Sequence, residues 1–179
     1  MFDAIRLVTE AADFAARRHC GQKREGASGA PYINHLIEVA DLVAKTPAGR
    51  DPELVAAALL HDVVEDGHAA AAEIQARFGG NVAGLVEELT DDISLPDEVR
   101  KRRQVDEISG KSPAARLIKL ADKVSNIREM AEDPPPGWPD EERRDYAEWA
   151  RAVVDAGCRG LYPELERSFD DAIAKVLGG

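Results

Sequence analysis

The segment LVAAALLHDVVED, residues 54–66, constrains the fold more than any other. Its first seven residues are Leu, Val or Ala and read as a helix headed for the interior. The run then ends in His61, Asp62, Glu65 and Asp66. Interiors do not accept unpaired charge. At 100° per residue, with His61 at zero, Glu65 falls at about 40°, Asp62 at about 100° and Asp66 at about 140°. Val63 and Val64 fall at about 200° and 300°, on the other arc. One account is a solvated C-terminal turn capped by Gly67. Acids suit that position poorly, because a helix C-terminus carries partial negative charge. A bound cation removes that objection and the mutual repulsion of the carboxylates.

A metal needs further donors. In KLADKVSNIR, Asp122 and Asn126 lie at i and i+4, while Leu117, Leu120, Val124 and Ile127 cover the opposite face. Taken alone this is an ordinary amphipathic helix. His35 opens another helix among apolar residues in PYINHLIEVADLV. Together His35, His61, Asp62 and Asp122 give two imidazoles and two carboxylates, a set suited to Mn, Fe, Zn or Mg rather than to a soft-metal site. Lys119 and Lys123 fall on the polar side of the Asp122 helix, where they either face solvent or meet an anionic ligand.

Helical signals run through the whole chain, with approximate helices at 3–19, 33–46, 52–66, 70–78, 80–91, 96–108, 112–131, 140–157 and 161–177. Asp51-Pro52 and Ser112-Pro113 are cap and first-turn pairs. No segment sustains period-2 alternation, so the expected class is all-α, one domain over residues 1–179. Two loops stand out, GQKREGASGAPY (21–32) and DPPPGWP (133–139), and loops often carry recognition residues. FGGNVAGLV lacks the GxxxxGK[ST] spacing of a P-loop. His19 sits at a helix end, where its charge suits the dipole, and His68 is expected to be exposed.

No stretch reaches 18 apolar residues, so no membrane span is expected. The N-terminus has early charges and no apolar block, unlike a signal peptide. Cys20 and Cys158 form no CxxC, which fits a reducing, cytoplasmic setting and excludes a cysteine-rich zinc site. The net charge of −11 repels a long polyanion such as duplex DNA. The RKRR run at 100–103 has no interleaved aromatics, so nucleic-acid binding is a weak reading. A small anionic ligand remains compatible with local cation clusters.

The order His, His-Asp, Asp on separate helices resembles the HD phosphohydrolase superfamily. GQKREGASGAPYINH, ALLHDVVED, TDD, KRRQV and RLIKLADKVSNIR further resemble the hydrolase domain of RelA/SpoT homologues. PPGWPDEERRDYAEWA is similar to the segment after the metal helix in the stand-alone, metazoan-type small alarmone hydrolases. The resemblance runs from about His19 to the final helix. It implies an all-α bundle around one divalent ion, usually Mn²⁺, and hydrolysis of the 3′-pyrophosphate of the guanine nucleotide alarmone (p)ppGpp to GDP or GTP. By motif match it implies His35, His61, Asp62 and Asp122 as metal ligands. Glu65 and Asp66 would position and deprotonate water. Asn126 would contact the ribose, Arg24 would lie against the base, and Tyr146 would reach the phosphate end. The chain departs from the family in having Glu25 where Lys is usual, and Leu36 where Pro is common. It has no synthetase region. The rival readings are a phosphatase acting on the 2′-phosphate of NADPH and a non-catalytic alarmone sensor. Oligomeric state is left open by the sequence.

Overall fold

A computed structural model describes residues 2–178. Nine α-helices are present among them: α1 (Phe2–Arg18), α2 (Ile33–Ala44), α3 (Pro52–Leu60), α4 (Ala71–Phe78), α5 (Gly80–Leu89), α6 (Asp97–Glu107), α7 (Pro113–Glu132), α8 (Asp140–Gly157) and α9 (Pro163–Leu177). Short 3₁₀ turns at Pro47–Arg50 and Ile108–Gly110 were not foreseen by periodicity, which cannot register a single turn. The all-α expectation holds: among the described residues the sole β feature is an isolated bridge between Lys23 and Pro31.

The two cap pairs set the two central helices. The Asp51 side chain accepts from Glu53 N–H at 2.9 Å, with Pro52 in the first turn of α3. Ser112 Oγ accepts from Ala115 N–H at 3.1 Å, with Pro113 opening α7. Every residue of α3 from Leu54 to Leu60 is buried, between α1, α2 and α5. Helix α7 packs against α2, α5, α8 and α9, and over Leu117–Ser125 all of its residues are buried. A helix surrounded this way must bury its polar side chains too, so Lys119, Asp122, Lys123 and Ser125 lie inside rather than on a solvated face.

Helix α3 ends at Leu60, six residues before the expected end at Asp66. From His61 the chain continues as turns: Val63 N–H donates to Leu60 O at 3.1 Å, Asp66 N–H to Asp62 O at 2.9 Å, and Gly67 N–H to Val64 O at 3.0 Å. The Ala58 carbonyl, freed from the regular ladder, meets Nδ1 of His61 at 2.8 Å. Gly67, at φ +71°, then reverses the chain. The expected division of sides survives the loosening, since Val63 is buried while Asp62 and Glu65 line a cleft.

The two long loops meet. Ser28 N–H donates to Asp133 Oδ1 at 3.0 Å and Ser28 Oγ to Oδ2 at 2.5 Å, while Ala27 N–H reaches Pro134 O at 3.2 Å. A Cβ at Gly26 would stand 2.5 Å from the Asp133 carbonyl oxygen, so the close approach requires glycine.

Because Leu60 is fully buried directly before the polar turn, Leu60→Ala is expected to destabilise the protein by roughly 2–5 kcal/mol in urea unfolding.

Candidate metal centre and active-site cleft

Helices α2 and α7 and the turn after α3 bring four side chains to one point. His35 Nε2 lies 3.4 Å from Asp122 Oδ1 and 3.6 Å from Asp62 Oδ2. His61 Nε2 lies 3.1 Å from Asp62 Oδ2 and 3.8 Å from Asp122 Oδ1. Both imidazoles and Asp122 are buried, and Asp62 is nearly so.

Further bonds fix the orientation of each group, on the far side of the two imidazoles and at the histidine-facing oxygens of the two carboxylates. Ser125 Oγ donates to Glu38 at 2.7 Å and therefore accepts from His35 Nδ1 at 2.9 Å. His61 Nδ1 can only donate to the Ala58 carbonyl. Each ring thus keeps its proton on Nδ1 and turns Nε2 inward. Tyr32 Oη donates to Asp62 Oδ2 at 2.6 Å, and Asn126 Nδ2 donates to Asp122 Oδ1 at 2.8 Å. Such outer bonds are what hold metal-ligating His and carboxylate groups in register.

The donor set also has the electrostatics of a cation site. Burial alone would push His61 down, but Asp62 and Asp122 outweigh it and lift the ring to about 10. Burial likewise opposes ionisation of Asp62 and Asp122, yet the imidazoles, and Lys123 beside Asp122, hold both well below the usual carboxylate range. Even so, buried Nε2 of His61 has no hydrogen-bond partner among the described residues. A divalent ion between these groups would take the place of the proton that the two carboxylates stabilise on His61 Nε2, and three of these groups already place donor atoms within 4.8 Å of one another.

The two carboxylates of the cluster, Asp62 and Asp122, line a cleft of about 410 Å³. Glu65 lines it, accepting from Asp91 N–H at 2.9 Å, and burial raises its pKa. Asp66 also lines the cleft and accepts from Gln22 Nε2, another lining residue, at 2.8 Å. Arg24 lies in the wall, bound to Glu129 at 2.5 Å and Asn126 at 3.3 Å. Tyr146 joins the wall within a row of aromatics, its ring 5.3 Å from Trp149 and 6.1 Å from Trp138.

Of the two alternatives for Lys119 and Lys123, solvent exposure is ruled out, since both are buried and line the cleft. Burial lowers the pKa of Lys123, while for Lys119 the surrounding carboxylates, Asp122 first, outweigh burial and raise it. His19 is buried rather than serving a helix end, and His68 is half-buried rather than exposed, because the reversal at Gly67 carries it back against α1. The RKRR run splits: Arg100 and Lys101 line the cleft, while Arg102 and Arg103 pair outward with Asp106 and Glu107.

Sequence reasoning missed Tyr32, Ser125, Gln22, Trp138 and Trp149 as site residues. A hydroxyl three residues before His35 was the available signal for Tyr32; the others carry no local pattern.

A family model for the HD domain matches residues 11–153. The chain belongs to the HD-domain family. It is 45% identical to guanosine-3′,5′-bis(diphosphate) 3′-pyrophosphohydrolase MESH1 of Homo sapiens over 166 residues, covering 93% of this chain and 92% of that one. Against the MESH1 of Drosophila melanogaster identity is 41%, covering 90% of each. A solved structure of a metazoan SpoT orthologue described as hydrolysing ppGpp superposes with a TM-score of 0.90 at 40% identity, over 96% of both chains. The resemblance to stand-alone RelA/SpoT-type hydrolases is therefore borne out, and HD-domain membership together with the donor set supports divalent metal binding.

Tyr32→Phe removes the bond that orients Asp62. It is expected to weaken metal affinity by roughly 10–100-fold while leaving the circular dichroism spectrum unchanged, as read by competition with a chromogenic chelator.

Proposed function

We propose that this protein hydrolyses the 3′-pyrophosphate of (p)ppGpp, releasing GDP or GTP and pyrophosphate, in a Mn²⁺-dependent, cytoplasmic reaction that ends an alarmone signal. The observation that carries the reading is the cluster of His35, His61, Asp62 and Asp122, whose two carboxylates line a cleft that cations and aromatics also line. The likeness to MESH1 over nearly the full length supports the substrate.

His35, His61, Asp62 and Asp122 would hold the ion, within a single HD domain spanning the chain. When bound, a divalent cation lowers the pKa of coordinated water and offsets phosphate charge. Glu65 takes the proton from the attacking water; its burial raises its basicity towards that task. Asp66, which also lines the cleft, positions the same water. Lys119 and Lys123 meet phosphate oxygens. The indole of Trp149 sets the position of Lys123, whose ammonium lies over the ring at 4.0 Å, and its Nε1 ties α8 to the Lys101 carbonyl at 3.0 Å. Arg24 lies against the base, Asn126 contacts the ribose and Tyr146 borders the phosphate end. Glu25, exposed beside Arg24, places a negative charge where the family usually has a positive one.

The test is turnover of ppGpp and NADPH in parallel with Mn²⁺, products being resolved by ion exchange. GDP and pyrophosphate at a much higher kcat/KM support the reading. NADH and phosphate as dominant products would replace it with the 2′-phosphatase, and metal retention without turnover would replace it with a sensor. Glu65→Gln is expected to retain metal and lose about 10²–10⁴-fold in kcat; normal turnover would remove Glu65 from proton transfer.

The pH dependence follows from Lys123. Only its charged form attracts phosphate, and its pKa is lowered by burial, so that charge is lost on raising pH before an ordinary lysine would lose it. The alkaline limb of kcat/KM is expected below the free lysine value of about 10.4 and should move upward in Lys123→Arg.

A further inference from the structure

Beside the cleft, a second group of donors converges from two segments: the turn that carries His19 and Gln22 after α1, and Asp66 and His68 around the Gly67 reversal. His19 Nδ1 lies 2.7 Å from Gln22 Oε1, and His68 Nε2 lies 2.9 Å from the same oxygen. The amide nitrogen of Gln22 donates to Asp66 Oδ2 at 2.8 Å, and that oxygen is 3.7 Å from His19 Nδ1. Donor atoms of His19, Asp66 and His68 all lie within 4.8 Å of one another. Ligand atoms around a tetrahedral zinc ion lie about 3.4 Å apart, given metal–ligand bonds of about 2.1 Å.

We propose that His19, Asp66 and His68 form a second divalent-cation site of the zinc class, with the Gln22 amide oxygen as a fourth donor or as the group the ion displaces. Two imidazoles and one carboxylate are a zinc-type set. Its framework is fixed. His19 is buried and stacked on Tyr32, with ring centroids 5.1 Å apart, and the His68 carbonyl accepts from Arg18 Nη1 at 3.1 Å. The rings of His19 and His68 meet edge-on at 4.6 Å. Burial lowers the pKa of His19 and so favours the neutral ring; Nδ1 donates to Gln22 Oε1, and ligation through Nδ1 would move that proton to Nε2, which has no other hydrogen-bond partner among the described residues. The site opens to solvent through exposed Asp66.

Asp66 belongs to both centres. An ion held by His19 and His68 draws this carboxylate away from the cleft, so occupancy should inhibit turnover. The metal site stands independently of the reaction; only this consequence rests on the proposed function.

The test counts zinc. Protein stripped with chelator, re-equilibrated with Zn²⁺ and freed of excess by gel filtration is expected to hold two ions per chain. His68→Ala, at a half-buried position, should hold one, His35→Gln one, and the double variant none. A single ion in the unsubstituted protein, or a second ion retained in His68→Ala, would overturn the site. These counts need no alarmone, so they cannot be confused with failure of the substrate reading. In Mn²⁺-saturated protein, Zn²⁺ should inhibit the unsubstituted chain at concentrations at least tenfold lower than His68→Ala; equal sensitivity would overturn the inhibitory role.

Discussion

The structure depends on a buried electrostatic problem. His35, His61, Asp62 and Asp122 are packed together among aliphatic helices, where ionised groups are stable only when matched. The protein matches them in two layers. Inward, imidazole nitrogens face carboxylate oxygens across distances that a cation can close. Around them, each group is held by a separate partner: Ser125 and the Ala58 carbonyl behind His35 and His61, and Tyr32 and Asn126 at the histidine-facing oxygens of Asp62 and Asp122. These partners come from both sides of the cleft, so α2, α3 and α7 cannot shift independently without breaking the set. The loosening of α3 after Leu60 belongs to the same arrangement, since the Ala58 carbonyl serves a side chain there.

A second constraint is charge. A protein of net charge −11 that is to take the proposed polyanionic nucleotide must concentrate cations locally. Lys23, Arg24, Arg100, Lys101, Lys119 and Lys123 line one cleft, alongside carboxylates that include Asp62 and Asp122 of the candidate metal cluster. Holding two lysines inside costs desolvation, offset by Asp122, Asp91 and Glu65 nearby and, at Lys123, by the face of Trp149. The aromatic row of Trp138, Tyr146 and Trp149 gives the same wall an apolar component suited to a base or sugar. The clamp between Ser28 and Asp133 ties the two loops that close over this region.

Much of this was legible in residue order. Cap pairs at Asp51-Pro52 and Ser112-Pro113 marked the starts of the two central helices, because capping is local chemistry. The polar arc of His61, Asp62 and Glu65 opposite Val63 was legible because periodicity survives even where the helix loosens. The end of α3 was not legible, because it depends on a side chain taking a backbone carbonyl. Nor was the burial of Lys119 and Lys123: their helix reads as amphipathic until α8 covers its polar side. Tyr32 and Ser125 were hidden because an outer-layer partner needs only a hydroxyl at the right place, which many positions could supply.

The sequence by itself determined the all-α class and the candidate donor types, since these follow from periodicity, capping and spacing along the chain, and its motifs carried the resemblance to the HD-domain family. Only the tertiary structure decided which lysines face the cleft, how Asp66 is oriented, and that His19 and His68 meet. Those outcomes depend on contacts between segments distant in the chain, and a linear pattern carries no record of which side chains share one point in space.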